Sequence, residues 1–183
     1  MTIINGRACV VNGTPVDKVF SNGRKVYGRN LYTDTQNFDN LASWSARSSW
    51  TKTTDTYKGL AVVQRNQDWG GLSQYIQFKK GDVLTYSVYA KYTSGTGTSV
   101  IYWELNSNPE GSYSTATVNP ISSAVTITDS WQRVSETTVV TSDGYLRPRI
   151  ERAGGTNTLQ IAGIKVEKGS VATPWTPAPE DVM

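Results

Sequence analysis

The sequence predicts an all-β protein, a sandwich or closed barrel of roughly eight short strands behind a hairpin-rich head. Six Trp and ten Tyr stand among many Val, Ile and Thr, the residue types that suit a pleated, half-buried surface. Runs of apolar/polar alternation recur along the chain, and turns rich in Gly, Ser, Asn and Asp punctuate them. Helix formers in amphipathic spacing are hard to find anywhere.

The head comes first. Asn5-Gly6, Asn12-Gly13 and Asn22-Gly23 separate short apolar runs at residues 2–4, 8–11, 16–20 and 25–27. Asn-Gly accepts positive φ at both centre positions of a type I′ turn, the strongest short hairpin signal. Turns this close together enclose little core, so residues 1–29 are expected to be a docking segment, held by the main domain, a neighbouring subunit or a larger assembly. The main domain is expected over 30–175. Its predicted strands are 60–65, 72–78, 84–92, 99–105, 124–128, 132–140, 145–151 and 159–166. Residues 176–183, opening Thr176-Pro177-Ala178-Pro179, read as an extended Pro-rich tail that leaves the domain.

At 183 residues the chain can bury one core with a short appendage. Its 37% hydrophobic share and mean hydropathy of −0.42 fit a folding chain rather than a disordered one. The formal charge of +3, from 18 basic and 15 acidic residues, is small and scattered. Apart from the pair Lys79-Lys80 no basic stripe exists, so nucleic acid is not an expected partner. Cys9 sits alone in an apolar run, which excludes a disulfide within the chain and predicts a small, buried or half-buried residue. No apolar segment approaches twenty residues, and Met1–Ile4 runs straight into Asn5-Gly6. Neither a signal peptide nor a membrane insertion is expected.

Strand parity divides each run into a core face and an open face. Tyr86, Val88, Ala90 and Tyr92 should point inward from one strand, Ile101, Trp103 and Leu105 from a second, and Leu146, Pro148 and Ile150 from a third. Pro148 also marks an edge or a bulge, since it cannot donate to a ladder. If the three strands share a sheet, its open face carries Tyr89, Lys91, Tyr102, Glu104, Tyr145, Arg147, Arg149 and Glu151. Flat aromatic rings beside planar hydrogen-bonding groups suit a sugar, which stacks its C–H face and offers its hydroxyls at the edge. An ordinary solvated face with cross-strand ion pairs accounts for the same pattern. Trp69, in Asp68-Trp69-Gly70-Gly71, lies on a turn, where it either projects as a stacking platform or closes one end of the sandwich. Trp44, Trp103, Trp131 and Trp175 sit in patterns that favour burial, and Trp50 is open.

Enzymatic signals are weak. The absence of His removes the usual Ser-His and Cys-His dyads and most catalytic zinc sites. No phosphate-binding or dinucleotide fingerprint occurs. Glu104 and Glu151 are the one conceivable glycosidase pair, and their neighbours Lys91, Arg147 and Arg149 would keep them ionised, which makes poor general acids.

Several stretches resemble a known family. Asn30-Leu31, Asn37-Phe38-Asp39-Asn40 and Trp44 resemble the opening of the carbohydrate-binding modules attached to xylanases and cellulases. Residues 72–76, Lys80-Gly81-Asp82 and residues 86–91 look like their central hairpin, and Trp131-Gln132-Arg133-Val134-Ser135 like a later strand. The ending, residues 159–181, and the head, residues 16–28, are similar to phage tail and baseplate proteins of Gram-positive hosts. The resemblance implies a two-sheet antiparallel β-sandwich, a jelly roll, that binds saccharide without catalysis. It implies adhesion to host cell-wall polysaccharide by a virion component, with other tail or baseplate proteins as partners and a homo-oligomer in the virion as a possible state. Virion assembly followed by lysis would then carry the chain out of the cell. No cofactor is expected beyond a structural calcium, for which Asp39 and Glu167 match the relevant regions. On parity, the saccharide-binding candidates are Tyr89, Lys91, Tyr102, Glu104, Arg147, Arg149 and Trp69. A structural adaptor with protein partners only is the alternative.

Overall fold

The computed structural model describes residues 7–45, 49–109, 117–118 and 123–182. Two hairpins form the head: β1 (Val10–Val11) with β2 (Thr14–Pro15), and β3 (Lys18–Ser21) with β4 (Arg24–Gly28). Their turns carry positive φ at both centres, 49° and 76° at Asn12-Gly13 and 48° and 72° at Asn22-Gly23, as the type I′ reading requires. The Asn5-Gly6 turn lies outside the described residues.

Two five-stranded antiparallel sheets follow. One has β5 (Thr51–Tyr57), β6 (Leu60–Arg65), β14 (Leu159–Lys168), β8 (Val83–Tyr92) and β12 (Gln132–Val139) side by side. The other runs β7 (Ile76–Phe78), β13 (Gly144–Arg152), β9 (Gly97–Asn106), with β10 (Thr117–Val118) and β11 (Ser123–Ile127) both on the far flank of β9. Between them lies one apolar core that includes Tyr86, Val88, Ala90 and Tyr92 of β8, Ile101, Trp103 and Leu105 of β9, and Leu146 and Ile150 of β13. The parity of these strands is as the alternation predicts. Pro148 falls beyond Leu146, where pairing with β7 ends and β13 keeps only β9 beside it. Trp44 and Trp50 join the same core, and Trp44 meets Tyr32 edge-to-face at 5.5 Å.

Three departures from the sequence reading matter. Of residues 72–78 only Ile76–Phe78 form a strand, because residues 69–71 are held across β13 instead. Strand β5 was not expected: Thr51-Lys52-Thr53-Thr54-Asp55-Thr56 is exposed or half-exposed, so no apolar alternation announces it. The Pro-rich end, expected to leave the domain, packs back on it. Thr176, Pro177, Ala178 and Pro179 are buried, and the Asp181 carboxylate accepts the Asp34 N–H on both oxygens at 3.0 Å.

Head and tail converge on β14. Lys25 of β4, buried with a side-chain exposure of 6%, pairs with fully buried Glu167 at 2.7 Å and donates to the Lys168 and Val171 carbonyls. The same Glu167 accepts from the backbone N–H and hydroxyl of Thr173. The Lys165 ammonium, buried between Tyr27 and the tail, donates to Thr173 Oγ1, the Pro174 carbonyl and Thr176 Oγ1. Burial holds its pKa down to about 7 against the opposing pull of Glu167. These contacts bear on calcium. An ammonium already occupies the cation position at Glu167, and Asp39 is exposed and paired with Lys52. Among the described residues no group of three or more acidic, His or Cys side chains is placed to hold a metal. Asp39 and Glu167 do not fit a calcium site.

Candidate functional site

The site is built on the outward face of β9 and β13. Their register sets Tyr102 opposite Arg149, Glu104 opposite Arg147 and Val100 opposite Glu151. Directly opposed residues on one face lie close enough for side-chain pairing. Arg147 Nη2 therefore bonds both Glu104 oxygens, at 2.5 and 2.6 Å, and Arg149 Nη1 reaches Glu104 Oε2 at 2.7 Å. Arg149 Nε bonds Glu151 Oε1 at 2.6 Å. Burial disfavours the Arg149 cation, but Glu151 and Glu104 outweigh it and raise its pKa further.

The other wall is the turn after β6. Trp69 and Gly70 both adopt the left-handed region, with φ of 60° and 70°, and aim successive N–H groups at one carboxylate. Gly70 N and Gly71 N each donate to Glu151 Oε1 at 3.1 Å, a small anion-binding nest filled from within. Trp69 N donates to the Arg152 carbonyl at 3.0 Å, Arg152 Nε to Asp68 at 2.6 Å, and Trp50 Nε1 to the Gly70 carbonyl at 2.9 Å. A Cβ on Gly71 would stand 2.3 Å from the Ile150 carbonyl oxygen, so only glycine lets the turn lie this close to β13.

Between turn and sheet opens a cleft of about 450 Å³ lined by Trp69, Gly70, Gly71, Tyr102, Arg147, Arg149 and Glu151. Trp69 is 52% exposed and meets Tyr102 edge-on, with ring centroids 6.2 Å apart. The Arg149 guanidinium lies 5.5 Å from the Tyr102 ring, and that of Arg147 lies 5.0 Å from Tyr75. An exposed indole and guanidinium edges in one concave space offer stacking together with planar hydrogen bonding.

Tyr102, Arg147 and Arg149 share one face as parity placed them, although Arg149 is buried at 5% exposure, and Trp69 joins them from its turn. Three other candidates do not. Tyr89 and Lys91 face outward, but from β8, which pairs with β12 and β14 and never with β9; they lie on the opposite side of the sandwich. There Tyr89 meets Tyr57 at 5.2 Å, Tyr57 stacks on Trp131 at 4.5 Å, and Lys91 caps Trp131 at 5.6 Å. This outer cluster rests on Leu60, Val62 and Ala162, beside the bulge at Gly163. Glu104 does face the cleft side, but it is 1% exposed beneath the two arginines, so it braces them and meets no ligand. The latch formed by Glu151, Gly70 and Gly71 was not legible. Its only signal is a Trp-Gly-Gly turn beside a predicted strand.

The sequence matches no protein-family model and no curated protein. Solved structures do match. The C-terminal family 22 carbohydrate-binding module of Clostridium thermocellum Xyn10B superposes with a TM-score of 0.60 at 16% identity, over 79% of this chain and 96% of that one. The fold is that of carbohydrate-binding modules. The CBM22-1 xylan-binding domain of Paenibacillus barcinonensis Xyn10C matches at 0.50 and 16% identity, over 75% of this chain and 99% of that one. The enzymatically active domain of bacteriophage CBA120 tailspike protein 4 matches at 0.56 and 10% identity, over 76% of this chain but 21% of that one. At these identities the likeness concerns architecture alone.

Proposed function

We propose that the chain binds polysaccharide reversibly in the cleft between Trp69 and the β9–β13 face, with no chemical step. The observation that carries the reading is a half-exposed Trp69 held in a strained backbone conformation, facing Tyr102, Arg147 and Arg149 across a concave space on a carbohydrate-binding-module fold. Such strain persists where the surroundings over-determine it, and it concentrates at ligand clamps. Glu104 and Glu151, the one pair that could serve a glycosidase, are both tied to arginines, which favours binding over hydrolysis. Covering the exposed half of Trp69 with a sugar ring contributes about 1–3 kcal/mol. Trp69→Ala should therefore weaken binding to insoluble cell-wall polysaccharide or a responding oligosaccharide by about ten- to a hundred-fold. Unchanged binding in both Trp69→Ala and Tyr102→Ala, each folded by near-UV dichroism, removes the cleft from consideration.

The biological setting is proposed to be a phage tail or baseplate, with the module adhering to host cell-wall glycan and many copies compensating for weak single sites. The resemblance of both chain ends to tail and baseplate proteins and the shared fold with a tailspike domain support this. A fluorescent fusion should label walls from a panel of Gram-positive cells, and failure on every wall counts against it. The adaptor reading draws on a different observation: Phe20, Val11 and Val26 of the head are 60%, 57% and 38% exposed, apolar surface suited to a virion protein. Co-purification with tail proteins without any wall labelling would favour it.

A further inference from the structure

We infer that the ligand of the cleft carries negative charge, so that the protein selects acidic glycans, whether their charge is a uronate carboxylate or a phosphodiester; the inference rests on the saccharide reading above and narrows it.

Hydrogen-bonding capacity in the cleft is one-sided. Glu104 receives Arg147 on both oxygens, Arg149 and the Asn106 amide, which fills about the four acceptor sites a carboxylate has. Glu151 takes three donors on a single oxygen and is 3% exposed. The guanidiniums, with five N–H donors each, are far from saturated. Arg147 reaches its carboxylate through Nη2 alone; its Nε is buried without a partner among the described residues, so what it offers a ligand lies at the Nη end of the guanidinium. Arg149 uses Nε and Nη1. The wall therefore presents spare donors and few spare acceptors. A neutral sugar hydroxyl must donate as well as accept, and its donors find little here. A carboxylate or phosphate only accepts, and a guanidinium edge matches its geometry.

Charge points the same way. Arg65 bonds only the backbone carbonyls of Gln67 and Asp68, with no carboxylate of its own. Arg152 is matched by Asp68, and Arg147 and Arg149 share Glu104 and Glu151. Arg147 and Arg149 are thus matched by Glu104 and Glu151 at the cleft itself. The positive excess comes from Arg65, which holds the Trp69 turn from outside the cleft lining and favours an acidic ligand through space. Trp69, on the facing wall, supplies the apolar surface on which the charged ring stacks.

The test titrates the full chain with three soluble probes of equal length: a neutral xylo-oligosaccharide, an oligogalacturonate and a glycerol-phosphate-linked oligomer. At low salt at least one acidic probe should bind about ten-fold tighter than the neutral one. That preference should shrink as sodium chloride rises past ~0.5 M, where the screening length falls below about 5 Å. Arg147→Gln should bring acidic and neutral affinities within about two-fold, and Arg147→Lys should keep part of the preference. Which acidic probe responds distinguishes carboxylate from phosphate. Equal binding of neutral and acidic probes overturns the charge selection and leaves the saccharide reading standing. Binding of no probe and of no wall polysaccharide overturns both. Acidic binding that survives Arg147→Gln and Trp69→Ala but vanishes when Lys58 and Lys91 are both changed to Gln assigns it to the opposite face, and also overturns the inference.

Discussion

Replacing Gly71 by alanine tests whether the cleft depends on a backbone contact that no other residue permits. The new Cβ would lie 2.3 Å from the Ile150 carbonyl oxygen and 3.0 Å from the Cγ atoms of Arg149 and Glu151. An ordinary C···O approach is about 3.3 Å, so turn and strand must separate by about 1 Å. Strand β13 is paired to β9 from Tyr145 to Arg152 and resists, so the turn lifts. Lifting loosens two N–H bonds from Gly70 and Gly71 to the Glu151 carboxylate, each worth about 1.5–3 kcal/mol. Alanine returns about 0.4–1 kcal/mol by restricting the unfolded chain, leaving a net loss of about 2–5 kcal/mol. At about 2–4 °C per kcal/mol for a chain this long, Tm should fall by about 4–20 °C. Saccharide affinity should fall with it, because Trp69 moves with the turn. Denaturant unfolding, near-UV dichroism and binding to wall polysaccharide measure the three effects. A variant whose midpoint, aromatic spectrum and affinity all match the parent refutes the claim that this contact sets the cleft.

Other perturbations separate the remaining elements. Lys25→Met leaves the buried Glu167 carboxylate without its cation and should cost about 3–5 kcal/mol, read by urea unfolding; a loss under about 1 kcal/mol contradicts the ion pair. Lys165 titrates near 7 when folded and near ~10.4 when unfolded, so between those values the unfolded chain holds a proton the folded one lacks. Stability should therefore rise with pH from about 7 to ~10 and this contribution should be flat below 7. The slope should be missing in Lys165→Met melts, and its persistence there sinks the assignment. Trp131→Ala removes the ring stacked on Tyr57 and should lower stability by about 1–3 kcal/mol while leaving saccharide affinity within two-fold; a large affinity loss would move the site to the other face. Trp50→Phe deletes the N–H to the Gly70 carbonyl and should cost about 1 kcal/mol, with Trp69 fluorescence more readily quenched by acrylamide.

Much of this was legible because parity is local. Tyr86, Val88, Ala90 and Tyr92 alternate with polar neighbours, and the same holds for Ile101, Trp103 and Leu105, so core and open faces follow from period two alone. Sheet membership is non-local. Ser94-Gly95-Thr96-Gly97 serves equally as a hairpin turn or as a crossing from one sheet to the other, and it is the crossing, which parts Tyr89 and Lys91 from Tyr102. The depth of Glu104 was illegible for a related reason: burial beneath two arginines depends on the β9–β13 register, which alternation does not specify. Strand β5 escaped because Thr and Lys on an exposed edge carry no apolar rhythm. The tail escaped because Pro-rich sequence encodes extension without saying what it lies against.

The convergence of both chain ends on β14 has a mechanical consequence. Were the protein anchored through its head while a glycan pulled on the cleft, the load would enter at β14, flanked by β6 and β8, and leave at β13 in the other sheet. Strand β13 runs on into β14 through residues 153–158, and β6, which leads into the Trp69 turn, is paired with β14, so tension would travel along the backbone and that ladder. Both walls of the cleft would then feel strain at the anchor, because each is tied to β14, one by the chain itself and the other by the β6–β14 ladder.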